Sequence, residues 1–186
     1  MFGIRRTCTA AASIFLLTVT AYAAEPFSLT SSSFKEDALI PAKMGGDIKQ
    51  NPNCVGENVS PALSWSDPPA GTMSYALLMF DPEANPPEGM SQWVAYGIPV
   101  SVTGFAEGAT SMQTDKYVGG ANSFGLSHYA GPCTPPGGPH HYMFSLIATD
   151  LEPNALKPGL TRDELIKALD GHAKGAAVLV GRFKHS

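Results

Sequence analysis

The sequence predicts a mostly β protein, and three observations carry that reading. Glycine (19) and proline (16) are abundant in 186 residues, so much of the chain is spent in turns. Between the turns lie apolar runs of strand length, not long segments of helical periodicity. Only one stretch carries the start signals of an α-helix, and it comes late.

The first 23 residues read as a signal peptide, with residues 24–186 as a single domain. Arg5 and Arg6 make a basic start, an apolar run centred on Ile14, Phe15, Leu16 and Leu17 follows, and Ala21-Tyr22-Ala23 is an A-x-A cleavage pattern. The apolar run is too short to span a bilayer comfortably. The expectation is a periplasmic or secreted protein without stable membrane insertion. Two of the twelve basic residues and none of the sixteen acidic ones lie in the first 23, so the remainder carries a charge of −6. An acidic protein with no basic run is a poor candidate for binding nucleic acid or an anionic membrane surface, and no nucleic-acid partner is expected; an anionic ligand would need a local pocket.

Residues 27–34 read as a first strand and 45–61 as a loop rich in Gly, Asn and Pro. Residues 62–65 begin a short strand. Residues 73–80 (MSYALLMF) are almost continuously apolar, as in a strand buried on both faces. That strand stops at Asp81-Pro82, and a loop leads to a further strand over 92–100. Residues 103–139 are long and irregular, the kind of segment that is functional or disordered. Residues 140–149 (HHYMFSLIAT) form a strong strand, with His140, Tyr142, Phe144 and Leu146 on one face and His141, Met143, Ser145 and Ile147 on the other. A helix is expected from Arg162 to about Lys174. Thr161 and Glu164 form its capping box, Leu160 and Leu165 its hydrophobic staple, and Gly175 its stop. A last strand covers 176–183.

Cys54 and Cys133 follow the signal segment. In an oxidising compartment they make a disulfide candidate, and two separate buried thiols are the alternative. The bridge would close a loop of about 80 residues, worth about 4–5 kcal/mol on chain entropy.

The chemistry gathers at strand ends. Asp81 ends a buried strand beside a loop, where binding groups often sit, although Asp before Pro is also a common turn former. His140 and Tyr142 face the same way at a strand start, so an imidazole and a phenol can both donate to one oxyanion. No metal is expected. Adjacent histidines on a strand face opposite sides, and although His128 and Asp81 could add ligands, no zinc spacing is present. There is no G-x-S-x-G elbow and no phosphate-cradling glycine loop, so no catalytic residue and no cofactor is assigned.

Four segments read together: ENVSPALSW, DPEANPP, QWVAYGIP and YAGPCTPPGGPHHYMFSL. In this order they resemble the phosphatidylethanolamine-binding protein family, in particular its bacterial Raf-kinase-inhibitor-like branch. The resemblance implies a large antiparallel β-sheet packed on a smaller one with a few peripheral helices. It also implies a small pocket for phosphate-like anions, including phospholipid head groups. Asp81 matches the aspartate of the family's D-P-D-A-P loop, His140 and Tyr142 its P-H-x-Y strand, and Gly131 and Pro132 the backbone beside the pocket. Two departures stand out. Gln92 occupies the place of a histidine before Trp93, and Glu83 and an extra Asn85 alter the loop. Glutamine can donate a hydrogen bond but carries no positive charge. Affinity for a dianionic phosphate is therefore expected to be weaker, or less dependent on pH, than with two histidines.

The leading reading is an exported, non-catalytic binding protein with an anion pocket at Asp81, Gln92, Gly131, Pro132, His140 and Tyr142. An enzyme using these side chains for acid-base chemistry is one alternative. An interaction or inhibitor module acting through residues 103–139 is the other. A protein partner and a homodimer are left open.

Overall fold

The computed structural model describes residues 25–185. The signal peptide expected over 1–23 lies outside them. Among the described residues, eight strands form two antiparallel sheets. The small sheet has the order β1-β2-β5, from β1 (Ser28–Thr30), β2 (Leu63–Ser66) and β5 (Gly104–Phe105). The large sheet has the order β6-β4-β3-β7-β8, from β6 (Val118–Gly119), β4 (Met90–Pro99), β3 (Ser74–Asp81), β7 (His140–Thr149) and β8 (Ala173–Phe183). This is the mostly β, two-sheet architecture expected.

The continuous apolar run of β3 has a direct cause: both faces of this strand are covered. Tyr75, Leu77 and Met79 enter the core between the sheets with Leu29, Trp65, Trp93, Phe105 and Phe144. Ala76 and Leu78 enter a second core with Val94, Tyr96, Leu160, Leu165 and Leu169 beneath the helix α1 (Arg162–Ala168). In β7 the alternation is as expected, with Tyr142, Phe144 and Leu146 buried while His141 and Met143 are exposed.

Among the described residues there is one α-helix, plus a single 3-10 turn over Ala42–Met44. The helix α1 starts where its capping box places it: Thr161 Oγ1 accepts from the Glu164 amide, and the Glu164 carboxylate accepts from the Thr161 amide. It ends at Ala168, sooner than the expected Lys174. Gly171, at φ 77°, turns the chain, and from Ala173 the backbone pairs with Thr149 of β7. Pairing with a strand already in place overrides the helical periodicity that continues to residue 173.

The irregular stretch 103–139 is held by side chains. Asn122 Oδ1 accepts from the amides of Phe124 and Leu126, while its Nδ2 donates to the Gln92 and His128 carbonyls. Cys54 and Cys133 are joined by a disulfide with Cα atoms 4.3 Å apart. It ties the loop after the 3-10 turn to the segment that leads into β7.

Candidate functional site

The inter-sheet core turns polar at one end, and the site forms there. Asp81 is the last residue of β3 and follows Tyr75, Leu77 and Met79 on the same face, with 1% of its surface exposed. Its Oδ1 accepts from the amides of Glu83 and Ala84, at 2.9 and 3.1 Å. Its Oδ2 lies 2.9 Å from Nδ1 of His140, the first residue of β7. A buried carboxylate needs such donors to offset its lost hydration. In accepting the Nδ1 proton it also fixes the imidazole ring, leaving Nε2 without a protein partner among the described residues.

Tyr142 is buried two residues further along β7, its hydroxyl 2.8 Å from Thr134 Oγ1. Burial pushes its phenol well above the usual range, and the Asp81 carboxylate pushes the same way. Tyr142 thus stays a neutral donor. Glu83 reaches back to β7, where its carboxylate accepts the His141 amide at 2.5 Å. That backbone bond is the main reason its carboxyl is held below the usual range.

Gln92 arrives by a different device. Met79 pairs with Trp93 but Phe80 pairs with Ser91, so Gln92 is the extra residue of a β-bulge. Bulges break strict alternation and re-aim side chains. Trp93 therefore packs in the core, while its neighbour Gln92 lines the same cavity as Asp81. Gln92 is 2% exposed, and its Oε1 has no hydrogen-bond partner among the described residues.

These groups line a cavity of about 390 Å³. Asp81, Gln92, His140 and Tyr142 all lie on its wall. Gly131 and Pro132 do not: they are buried one layer behind, and Cys133 and Pro135 form the wall instead. Gly131 is needed for close approach, because a Cβ there would meet the Met44 carbonyl oxygen and the Gly45 backbone. Its amide donates to Asn58 Oδ1 at 2.7 Å. His128 and His141 are not on the wall. Glu83, Asn51, Asn53 and Phe124 are, and sequence reasoning did not select them. The altered D-P-E-A-N loop was the one signal for Glu83; nothing local marks Asn51 and Asn53, which the disulfide brings in. One donor atom each from Asp81, Glu83 and His140 lie within 4.8 Å of one another, a set able to hold a metal ion.

A second cavity of about 240 Å³ opens on the α1 side of β3. Its Arg162 is already engaged, 4.3 Å over the Phe80 ring and 3.0 Å from Asp163.

The fold and site define a two-sheet β protein with a small, partly polar cavity at one end of its core. Residues 30–184 match the model of the phosphatidylethanolamine-binding protein family, and the chain belongs to that family. It is similar to a UPF0098 protein of Methanothermobacter thermautotrophicus, 38% identical over 159 residues covering 84% of this chain and 98% of the relative. It is also similar to LppC of Mycobacterium tuberculosis, a protein named as a lipoprotein, with 37% identity over 90% of this chain and 77% of the relative. Among solved structures, Escherichia coli YbcL, described as a new member of the mammalian PEBP family, superposes with a TM-score of 0.77 at 27% identity, covering 86% of this chain and 99% of YbcL. The homolog CT736 of Chlamydia trachomatis gives 0.73 at 32% identity, covering 86% of this chain and 98% of its own.

Proposed function

We propose that this chain is an exported, non-catalytic binding protein whose cavity takes a small ligand carrying a phosphate-like oxyanion, such as a phospholipid head group. One observation carries the reading. Asp81 accepts Nδ1–H of His140, so the ring's second nitrogen is left for a ligand on the wall of a partly polar cavity. When that ring carries both protons, it donates one hydrogen bond to Asp81 and one to the ligand. Tyr142 and the amide of Gln92 are the further donors on the same wall.

Export rests on the basic, apolar and A-x-A succession of residues 5–23 and on similarity to a protein named as a lipoprotein. No helix among the described residues is long and apolar enough to cross a membrane.

Isothermal titration with O-phosphoethanolamine tests the binding reading. His140→Ala is expected to lose at least about tenfold in affinity, the equivalent of about 1.4 kcal/mol. Equal affinities in wild type and variant would contradict it. Gln92→His adds an imidazole to the wall, and the variant's affinity is expected to rise as pH falls between about 8 and 5 more steeply than that of wild type.

A further inference from the structure

We infer that Asp81, Glu83 and His140 form a divalent-cation site, and that the oxyanion enters the cavity as the partner of a bound cation. The second half rests on the binding reading above; the first half stands without it.

The cavity is short of positive charge. Two carboxylates line it, and none of its lining residues is lysine or arginine. Asp81 is held by two backbone amides and His140, Glu83 by the His141 amide and ring. Neither carboxylate makes an ion pair with lysine or arginine among the described residues. A phosphate dianion entering this cavity meets two carboxylates and one imidazole, which at full protonation supplies a single positive charge. A divalent cation supplies the missing charge.

The spacing fits. Ligand atoms about 2.1 Å from a cation stand about 3 to 4 Å apart. One donor atom from each of Asp81, Glu83 and His140 already lies within 4.8 Å of the others, so closure by about 1 to 2 Å brings them to coordination distance. Glu83 is the movable member, with 44% of its side chain exposed, and Asp81 is the fixed one, at 1%.

Gln92 is a separate observation pointing to a ligand. It is nine-tenths and more buried, lines the same cavity, and has an amide oxygen without a donor. A buried acceptor left unpaired destabilises the fold that buries it. A cation in the cavity, reached by rotation of the terminal amide, gives that oxygen a partner. Two carboxylates, an imidazole and an amide oxygen are a mixed oxygen and nitrogen set, suited to Mn²⁺ or Zn²⁺ rather than to a soft thiophilic ion.

Adjacent histidines cannot chelate one ion from a flat strand, and His141 indeed takes no part. The third ligand comes from the loop after β3, which the strand ends fold back onto β7.

The test uses the full chain stripped with a chelator and titrated with Mn²⁺, with free Mn²⁺ read by electron paramagnetic resonance. One site per chain is expected in wild type. Glu83→Gln, an exposed change compatible with folding, is expected to weaken it about tenfold or more. Glu88→Gln, on the second cavity, is expected to leave it unchanged. Inorganic phosphate is then titrated with Mn²⁺ and with chelator, and Mn²⁺ is expected to raise its affinity at least about tenfold. Absence of a Mn²⁺ site, or equal binding in Glu83→Gln, would overturn the cation site. If His140→Ala still weakened phosphate binding in chelator, the binding reading would survive that failure. A Mn²⁺ site lost in Glu83→Gln, with no phosphate binding in either condition, would uphold the site and overturn the anion partnership.

Discussion

The molecule contains the same chemical pair twice, in two settings. Asp81 and His140 meet through Oδ2 and Nδ1 at 2.9 Å, and Asp150 and His172 through Oδ1 and Nδ1 at 2.7 Å. The second contact is shorter, yet it lies at the surface where β7 hands over to β8, with Asp150 at 30% and His172 at 45% side-chain exposure. Its carboxylate also has Lys174 Nζ at 2.6 Å, and that ammonium is the main reason the carboxyl is held below the usual range. Asp81 has 1% exposure, two backbone amides and, among the described residues, no lysine. The difference teaches that distance does not mark a site. What distinguishes Asp81–His140 is burial without a charge partner, beside a cavity.

The largest expected effect separates the cavity wall from the surface pair. The Cys54–Cys133 bridge closes 79 residues of sequence and carries Cys133 on the cavity wall. Replacing both cysteines with serine is expected to cost about 4–5 kcal/mol in urea denaturation. It should shift the ring resonances of His140 and leave those of His172 in place.

Next comes the pair itself. Asp81→Ala removes the acceptor of two backbone amides and of the His140 ring, and is expected to cost about 3–5 kcal/mol, read as a lower urea midpoint at unchanged slope. Asp150→Ala should lower the midpoint far less, because water replaces most of what it loses. Equal losses would erase the distinction drawn between the two pairs.

A smaller effect concerns Gln92. Its Oε1 lacks a partner among the described residues, so Gln92→Met, similar in shape and free of polar atoms, is expected to be neutral or to stabilise by about 1 kcal/mol. Ligand affinity should fall in the same variant. Stability lost together with affinity would show that the amide is structurally satisfied.

The smallest effect is ionic. Glu83 and Asp150 both titrate below the usual carboxylate range, the first mainly from a backbone amide and the second mainly from Lys174. For each, ionisation favours the fold above the unfolded pKa, and the contribution is lost as pH falls through the depressed folded value. Salt at about 1 M should raise the Asp150 value more than that of Glu83, because screening reaches an exposed ion pair first. Carboxyl-carbon NMR titrations measure both.

The sequence made much of this fold legible. The run MSYALLMF announced a strand covered on both faces, and the alternation from His140 separated the imidazole that faces the cavity from the one that does not. The capping box located the start of α1. Its end was not legible, since Leu169 and Ala173 continue the helical spacing and only pairing with β7 decides otherwise. At the site, Asp81, His140 and Tyr142 followed from strand ends. Gln92 followed only from the family motif, because a bulge, invisible in the sequence, turns it toward the cavity. Glu83, Asn51 and Asn53 depend on how loops return and on the disulfide, which are long-range contacts without a local pattern.

The central claim is that the buried pair, and not its surface counterpart, receives the ligand. Histidine ring nitrogens followed by NMR during a titration with O-phosphoethanolamine test it most directly. The expected result is a saturable shift of His140 Nε2 with His172 unmoved. A shift at His172 with His140 silent, or equal shifts at both, would contradict it.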